Sequence, residues 1–314
     1  MKKLFIRIIC AFIPSKKLRH VVRNASLLEY FKVLYFNFFN KRTSINFKYN
    51  LSICLIVKNA AKYMDEWINY HKLVGIDHFY IYDNESEDNL KEVLKPYIKS
   101  GLVDYMYVKG KGMQSKTYNY CIKVHRFETK WLAMIDDDEF ILPMKHKTVT
   151  EVLDFINPKN ALAISWCMYG SNGYKKYEDK LVIERFTKHI DLNTKSVFCC
   201  KTIINPRRTV YFEIHNGHYI KGNAVDENGK ILKKAYENFY TGNLIRINHY
   251  HLKSLEENLA KKKRGDASYS GKAEYEKANE EYFNAVDKFS NVTEDDTMKK
   301  YVPQVKKMIK KVRG

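Results

Sequence analysis

Four consecutive acidic residues follow a short apolar run and are the side chains best suited to chemistry. The run Trp131–Ile135 is long enough for one buried strand, and the acids after it are Asp136, Asp137, Asp138 and Glu139. Because successive strand residues point to opposite faces, we expect Asp136 and Asp138 to share one side, with the other two acids facing away. Two converging carboxylates need a counter-charge, and Mg²⁺ or Mn²⁺ with substrate phosphates suits such oxygen ligands. The alternative is a plain acidic loop, but the apolar lead-in favours a metal site.

The apolar pattern around this motif alternates between strands and helices. Runs such as Leu51–Val57 suit buried strands, and segments such as Tyr63–Leu73 have helical periodicity. Short loops between them predict an α/β fold with a central, mostly parallel (mixed) sheet flanked by helices. Ligands of such sheets bind at the carboxyl ends of the strands. Lys58, Asn59 and Asp83 fall at that edge, as the acidic motif does.

Composition restricts the classes of protein that the chain can belong to. Its 314 residues suffice for one large α/β domain or two small ones, and an apolar content of 45% excludes global disorder. Lysine and arginine number 55 against 36 acids, which gives a net charge of +19. That surplus implies an anionic partner such as a phosphorylated substrate or acidic lipid. Nucleic acid ranks lowest, because no RNA-binding or zinc-finger signature accompanies the charge.

The cysteines and the hydropathy pattern indicate a cytoplasmic protein that does not span a membrane. The six cysteines show no CxxC and no metal-ligand spacing. Cys54 and Cys121 lie in apolar-periodic segments and are typical of small buried side chains in a reducing compartment. No apolar run approaches the roughly 20 residues that a membrane span requires.

The first 50 residues differ in character from the rest. Apolar and cationic residues interleave up to Pro14, Arg7 interrupts the apolar stretch, and no small-residue cleavage site follows, so a signal peptide is disfavoured. A second, aromatic-rich segment, Tyr30 to Phe39, has helical spacing. Two interpretations stay open: a peripheral anchor on the anionic inner face of a plasma membrane, or helices packed on the domain.

A series of motifs, in order along the chain, resembles glycosyltransferase family 92 and, more distantly, the large family 2-like group. The motifs are Leu55–Asn59, Glu66–Ile68, Tyr70–His71, Gly75, Ile81–Asp88, Gln114 with Tyr118 and Cys121, Trp131, Ile135–Phe140, Lys201 with Pro206, Val210 and His215, and Ile247–Tyr250 with Ser254, Lys262 and Arg264–Gly265. The resemblance implies a GT-A fold, a nucleoside-diphosphate-sugar donor and a divalent metal. It divides the chain into a basic and aromatic extension (1–50), a transferase domain (51–265) and a basic helical extension (266–314). One departure is Ala60, which stands where the family tends to have Glu.

The resemblance also implies roles at the metal. Asp138 is expected to be a direct ligand, and Asp136 to contact the donor ribose or a metal-bound water. His249, at the end of an apolar strand, is the candidate third ligand, although a core histidine is the alternative reading. His215 is the second choice.

The donor and acceptor sides are assigned in the same way. Lys58, Asn59, Asp83 and Gln114 are expected to bind the donor, Asp83 through a nucleobase N–H or ribose hydroxyl and Lys58 through the diphosphate. A loop cap is the alternative for Asp83. Family members look inverting, which requires a base for the acceptor hydroxyl, and the candidates Glu213 and Asp191 remain undecided.

These inferences favour a transferase of hexosyl type that acts on a glycan or glycolipid acceptor in bacterial cell-surface polysaccharide or lipopolysaccharide synthesis. A nucleotidyltransferase would use similar carboxylate and metal chemistry, but it would favour a Gly-rich loop after the first strand, where Lys58-Asn59-Ala60-Ala61 stands. A non-catalytic basic adaptor would explain the charge but has no use for Asp136 and Asp138.

Overall fold

The computed structural model describes residues 27–39, 46–194, 198–232, 235–237, 240–264 and 279–314. The segment 1–26, on which most of the predicted membrane anchor falls, lies outside the described residues, as does 265–278. We number the described elements in chain order. The helices are α1 (Leu27–Phe39), α2 (Ala61–Leu73), α3 (Leu90–Lys99), α4 (Gln114–Val124), α5 (Val149–Ile156), α6 (Val182–Arg185), α7 (Leu255–Arg264), α8 (Glu280–Ser290) and α9 (Val302–Arg313), with a 3₁₀ turn at Lys299–Tyr301. The strands are β1 (Tyr49–Val57), β2 (His78–Asp83), β3 (Val103–Tyr107), β4 (Thr129–Met134), β5 (Glu139–Pro143), β6 (Ala161–Met168), β7 (Lys188–His189), β8 (Phe198–Ile204), β9 (Thr209–Phe212), β10 (Gly217–Tyr219), β11 (Tyr236–Glu237), β12 (Ile245–His249) and β13 (Thr293–Glu294).

The central sheet is mixed, which confirms the predicted fold class. Its strand order is β3-β2-β1-β4-β8-β6-β12-β5, with the short β11 paired to β8. Strands β3, β2, β1 and β4 run parallel to one another, and the antiparallel pairings begin where β8 joins β4. The parallel part therefore places the ends of β1, β2 and β4 at one edge, where the sequence predicted the site.

Strand β1 shows why the sheet is covered on both faces. Its apolar run alternates between two packing layers: Leu51 and Leu55 join the core that holds Trp67 of α2, whereas Cys54 packs with Cys121 of α4. A parallel strand covered by helices on both faces needs such a continuous apolar sequence. Cys54 and Cys121 are buried, as expected.

The three aspartates of the acidic motif do not lie on a strand. β4 ends at Met134 and β5 begins at Glu139, so Asp136 to Asp138 form the connecting turn. The prediction that strand alternation sorts these acids onto two faces is therefore wrong. Glu139 does not face away either, because its Oε2 accepts a hydrogen bond from the Asp136 N–H at 3.1 Å. A turn sends each side chain in its own direction, and local contacts decide which.

Helix α2 fixes the strand that leaves this turn. The Trp67 indole N–H donates to the Glu139 carbonyl at 2.9 Å, and the Tyr70 hydroxyl donates to the Ile141 carbonyl at 2.9 Å. The Ile141 N–H in turn donates to His71 Nε2 at 3.3 Å. Three consecutive contacts from one helix face therefore hold β5, and with it one end of the acidic turn.

The C-terminal region packs against the same helix. α9 follows α8 and the 3₁₀ turn, and it lies on α2 with Val305 fully buried. The Arg313 guanidinium bonds both Asp65 carboxylate oxygens, at 2.7 and 2.8 Å. The described part of the predicted C-terminal extension is thus helical and basic, with an apolar side that joins the main core. No helix among the described residues has the length and apolar content to cross a bilayer.

Candidate active site

Asp136 is held by side chains from α4 and β8. Lys201 Nζ lies 2.7 Å from its Oδ2, while the Gln114 amide and the Tyr118 hydroxyl donate to Oδ1 at 2.9 and 3.1 Å. Gln114 is the first residue of α4, so the helix begins at the carboxylate. Burial alone would raise the pKa of Asp136, but the Lys201 ammonium outweighs it and the pKa is lowered. Asp136 is therefore an oriented anion.

Lys201 also neutralises the last acid of the motif. Its ammonium lies 3.7 Å from Glu139 Oε1, and both side chains are fully buried. Burial would lower the pKa of Lys201, but the two carboxylates raise it, so the lysine stays charged. Burial raises the pKa of Glu139 well above its ordinary value. The buried Lys201 ammonium therefore lies beside two acids. Asp136, whose pKa is lowered, keeps its negative charge more readily than Glu139, whose pKa is raised.

Asp138 receives its partners from the far end of the chain. Its Oδ1 lies 3.5 Å from His249 Nε2, at the end of β12, and its Oδ2 is in contact with Lys261 Nζ of α7. The Tyr250 N–H donates to the Asp138 carbonyl at 2.9 Å. Burial opposes ionisation of Asp138, but Lys261 and then His249 lower its pKa well below the ordinary value. The structure thus brings Asp138 and His249 together, and their role as metal ligands stays a prediction.

Trp166 and two histidines line this end of the sheet. The Trp166 ring centroid lies 4.3 Å from that of His249 and 5.3 Å from that of His215. Burial, and then the charge of Lys201, lower the pKa of His215 to about 4, so its ring is neutral near pH 7. His215 accordingly lies near the Asp136 side of the cluster, with His249 on the Asp138 side.

The side chains around the acidic turn offer a small set of ligands for a divalent cation. Within the described part of the chain, no group of three or more His, Cys, Asp or Glu side chains is arranged to hold a metal. Asp138 Oδ1 and His249 Nε2 offer one carboxylate oxygen and one imidazole nitrogen, 3.5 Å apart. Mg²⁺ and Mn²⁺ commonly keep several positions for phosphate oxygens and water, so two protein ligands fit such an ion. Asp136 has both carboxylate oxygens hydrogen-bonded to protein groups, and Oδ2 of Asp138 is in contact with Lys261, so an ion would be held through Asp138 Oδ1 and His249 Nε2.

Asp83 lies at the carboxyl end of β2 with both oxygens engaged. Oδ1 accepts from the Ser86 N–H at 2.9 Å, and Oδ2 accepts from the Tyr105 hydroxyl at 2.7 Å. Asp83 is buried, so it caps its own loop in this structure. Its contact with the donor stays a prediction. Such a contact would require one of the two carboxylate oxygens to accept a further hydrogen bond.

The loop after β1 is joined to α7. Asn59 has φ of 49°, a left-handed conformation that asparagine tolerates, and its side chain accepts from the Glu87 N–H at 2.7 Å. Arg264, the last residue of α7, donates to the carbonyls of Lys58 and Asn59. α7 thus carries Lys261 to the acidic turn and Arg264 to the loop of Lys58, which brings the two predicted donor-binding regions together.

The two candidate bases occupy different turns. Glu213 follows β9, is about half exposed, and its Oε1 lies 2.9 Å from His218 Nε2. Asp191 follows β7, is exposed, and accepts from the Asn193 N–H at 2.9 Å. Neither position decides the assignment, so both remain candidates.

Sequence reasoning gave no role to the two lysines that pair with the motif. Lys201 carries a detectable signal, because it is a single charge inside the apolar strand FCCKTII, and a buried lysine requires a partner. Lys261 stands in a run of three lysines and an arginine, and nothing in the sequence distinguishes it from its neighbours.

Comparison with known proteins places these residues in a family. The family model for glycosyltransferase family 92 matches residues 49–282. Similar curated proteins include a family 92 protein of Oryza sativa (26% identity, 64% of this chain and 33% of that protein) and the β-1,4-galactosyltransferase galt-1 of Caenorhabditis elegans (26%, 71% and 54%). Another is the galactan β-1,4-galactosyltransferase GALS3 of Arabidopsis thaliana (26% identity, 59% and 37%). The chain therefore spans between about a third and about half of the length of these relatives.

Solved structures add little to this comparison. S. aureus TarS aligns with a TM-score of 0.38 at 15% identity, covering 75% of this chain and 43% of that chain. Its fragment 1–349 aligns with a TM-score of 0.35 at 18% identity, covering 50% and 47%. Likeness at this level supports no functional argument. The family match covers most of the chain and includes the acidic turn, His249 and α7, so the chain belongs to glycosyltransferase family 92.

Proposed function

We propose that the protein transfers a hexose from a nucleoside-diphosphate sugar to a glycan acceptor, with a divalent cation at Asp138 and His249. The observation that carries the proposal is the acidic turn at the strand ends. Asp136 and Asp138 are kept ionised there, each by its own lysine. A structural acidic loop has no need of two buried or partly buried cations. A site that binds a charged diphosphate does need such cations, because the charges of the site must be balanced both before and after the donor binds.

The proposed chemistry divides between the leaving group and the sugar. When bound, Mn²⁺ or Mg²⁺ would act as a Lewis acid on the diphosphate. Lys261 and Arg264 of α7 are placed beside the same site and would add positive charge for the leaving oxygens. Asp136, fixed by Gln114 and Lys201, would accept a hydrogen bond from a donor hydroxyl. The Asp136 side chain is thus oriented before the donor arrives.

Transfer with inversion needs a base on the acceptor side. Glu213 and Asp191 are both solvent-accessible carboxylates on turns, which suits a group that must meet an incoming acceptor. Single substitution of each to Gln or Asn would identify the base, since only the correct change should abolish transfer while leaving donor binding intact.

Galactose is the sugar we favour, because two relatives are named β-1,4-galactosyltransferases. The acceptor would be a glycan or glycolipid. A bacterial polysaccharide or lipopolysaccharide setting, and a cytoplasmic location, stay predictions from the sequence, since the curated relatives cited above come from plants and a nematode. An anionic membrane surface remains a proposed partner.

A donor screen tests this proposal. Purified protein would be incubated with uridine, guanosine and thymidine diphosphate sugars, and release of the nucleoside diphosphate would be measured without acceptor. We expect hydrolysis of a galactose donor that stops in chelator and returns with excess Mn²⁺ or Mg²⁺. Full activity in chelator would remove the metal from the proposal, and no turnover or binding of any donor would remove the transferase function.

A further inference from the structure

Helix α1 exposes its bulky apolar side chains and buries a small one. Leu28, Phe31 and Tyr35 are between 57% and 63% exposed and recur at helical spacing on one side. Val33, on the opposite side, is fully buried against Val210 of β9. An amphipathic helix normally packs its largest apolar side chains inward. α1 therefore presents an apolar surface to its surroundings.

Helix α4 has an exposed apolar side of the same kind. Tyr120 and Val124 on the helix, and Phe127 just after it, are between 45% and 49% exposed. Lys116 and Lys123 lie on the same side of the helix and are exposed. Aromatic and apolar side chains thus alternate with lysines along the surface of α4.

The two exposed sides adjoin each other. Glu29 Oε1 of α1 lies 3.7 Å from Lys32 Nζ on its own helix and 3.7 Å from Lys123 Nζ on α4. Its other oxygen lies 3.5 Å from Arg126 Nη1. A cavity of about 370 Å³ opens at this junction, with Lys116 among its lining residues. We call the surface formed by Leu28, Phe31, Lys32, Tyr35, Lys116, Tyr120, Lys123, Val124 and Phe127 the α1/α4 face.

We propose that the α1/α4 face docks on an anionic lipid bilayer. Bulky apolar and aromatic side chains enter the boundary between headgroups and acyl chains, while neighbouring lysines bind acidic headgroups. The face has three lysines around its apolar centre, and the chain as a whole carries +19. This charge matches an acidic leaflet, whose attraction adds to the burial of apolar area. The inference rests on the membrane partner in the proposed function, but not on transfer activity.

The geometry also relates this face to the candidate active site. Gln114, at the first turn of α4, donates to Asp136, and Lys116 lies two residues further along the same helix. Docking through α4 would therefore place the donor site close to the lipid surface. An acceptor anchored in that surface, that is, a glycolipid, would then reach the site without leaving the bilayer.

Vesicle binding tests the inference. Full-length protein would be sedimented with phosphatidylcholine vesicles that contain or lack phosphatidylglycerol, at low and high salt. We expect binding to anionic vesicles that weakens with salt, and a fall of about tenfold or more in the double variant Phe31→Asp/Val124→Asp. The matched control is Phe155→Asp/Phe289→Asp, which changes two apolar residues outside the face that are even more exposed, and should bind as the wild type does.

Deletion of residues 1–20 separates the face from the N-terminal segment. We expect the truncated protein to retain salt-sensitive binding that the face variant abolishes. Binding that is lost only on truncation, or that is equal in both double variants, would overturn the inference. Failure of the wild type to bind anionic vesicles would also overturn the inference. This holds even if the face variant is then found to abolish self-association. Donor hydrolysis in solution should be the same in all variants, so a failed transferase assay does not bear on this result.

Discussion

Asp136 and Asp138 of the acidic turn each pair with a lysine from a different part of the chain. Lys201 comes from a buried strand and its side chain is fully buried, although its partner Asp136 is 30% exposed; Lys261 comes from a helix and its side chain is 32% exposed. A fully buried lysine that loses its partner is left as an uncompensated charge, which is costly, whereas a partly exposed lysine can turn to water. Lys201 is therefore a fixed part of the candidate site. Lys261 can turn away from Asp138 and so make room for the proposed cation or diphosphate.

This difference makes Asp138→Asn a suitable test of the proposed metal site. We expect transfer to fall by about 100-fold or more, because a hard anionic ligand is lost, while the melting temperature changes little because Lys261 can reach solvent. Asp154→Asn, at a surface carboxylate that is 71% exposed, serves as the control. Full activity in the Asp138 variant would show that the carboxylate is not required.

Asp83 allows a second test, of donor recognition. Asp83→Ala should weaken the affinity for the nucleoside diphosphate more than it slows the chemical step, since the proposed contact is with the nucleoside. Tyr105→Phe removes one hydrogen bond to the same carboxylate but leaves the carboxylate in place. Calorimetric titration of both variants separates the two roles. Equal losses in both would assign Asp83 to the loop, and unchanged affinity in Asp83→Ala would exclude it from the donor site.

At the residue scale, the sequence predicted the sheet edge at which Asp136, Asp138 and His249 would lie, but not their side-chain contacts. Asp136, Asp138, Gln114 and His249 converge as expected, because strand ends of one sheet must lie at one edge. The strand-face argument failed because β4 ends before the motif. Side-chain partners such as Lys261 depend on where a distant helix docks, and local sequence carries no signal for that.

Among the elements, α2 and β5 form the most constrained pair. His71 lies between them with Nδ1 2.8 Å from the Trp67 carbonyl and Nε2 accepting from the Ile141 N–H. These contacts require the neutral ring with its proton on Nδ1. Burial lowers the pKa of His71 to about 3, against a smaller opposing effect of the Trp67 carbonyl. The unfolded chain binds a second ring proton near pH 6.5, and the folded protein does not bind it until about pH 3.

The free energy of unfolding should therefore fall as the pH drops below about 6.5. The contribution of His71 is fully present above that pH and is lost toward pH 3, at up to about 1.4 kcal/mol per pH unit. Urea unfolding at pH 7.5 and pH 5.5 measures it, with His71→Gln expected to lose less stability over this interval than the wild type. His146→Gln, at a partly buried surface position, should follow the wild type. Parallel pH dependences in all three proteins would contradict the assignment.

For the whole molecule, the parallel half of the sheet was predictable and the rest was not. β1 to β4 alternate with helices along the chain, so their order follows from local connections. β12 pairs with β6 and β5, which lie roughly a hundred residues before it. Such non-local pairings leave no periodic pattern in the sequence, and neither does the packing of α9 on α2.

Removal of α9 tests how far the C-terminal region belongs to the core. Deleting residues 302–314 should lower the free energy of unfolding by several kcal/mol, because Val305 is fully buried and Arg313 bonds Asp65. The variant Lys307→Gln/Lys310→Gln/Lys311→Gln changes only the charged side and should remain as stable as the wild type. Denaturant melts compare the two. An unaffected truncated protein would show that α9 is a dispensable appendage.

The hydrogen bonds from α2 to β5 have a consequence for aggregation. β5 is the last strand of the sheet order. An edge strand ordinarily leaves its outward N–H and C=O groups available to pair with a strand of another molecule. Here Trp67, Tyr70 and His71 already satisfy three of those groups with side chains. This edge is thereby closed to strand addition. Growth of the central sheet by an added strand would have to begin at the opposite edge, β3, where Met106 and Tyr107 are exposed.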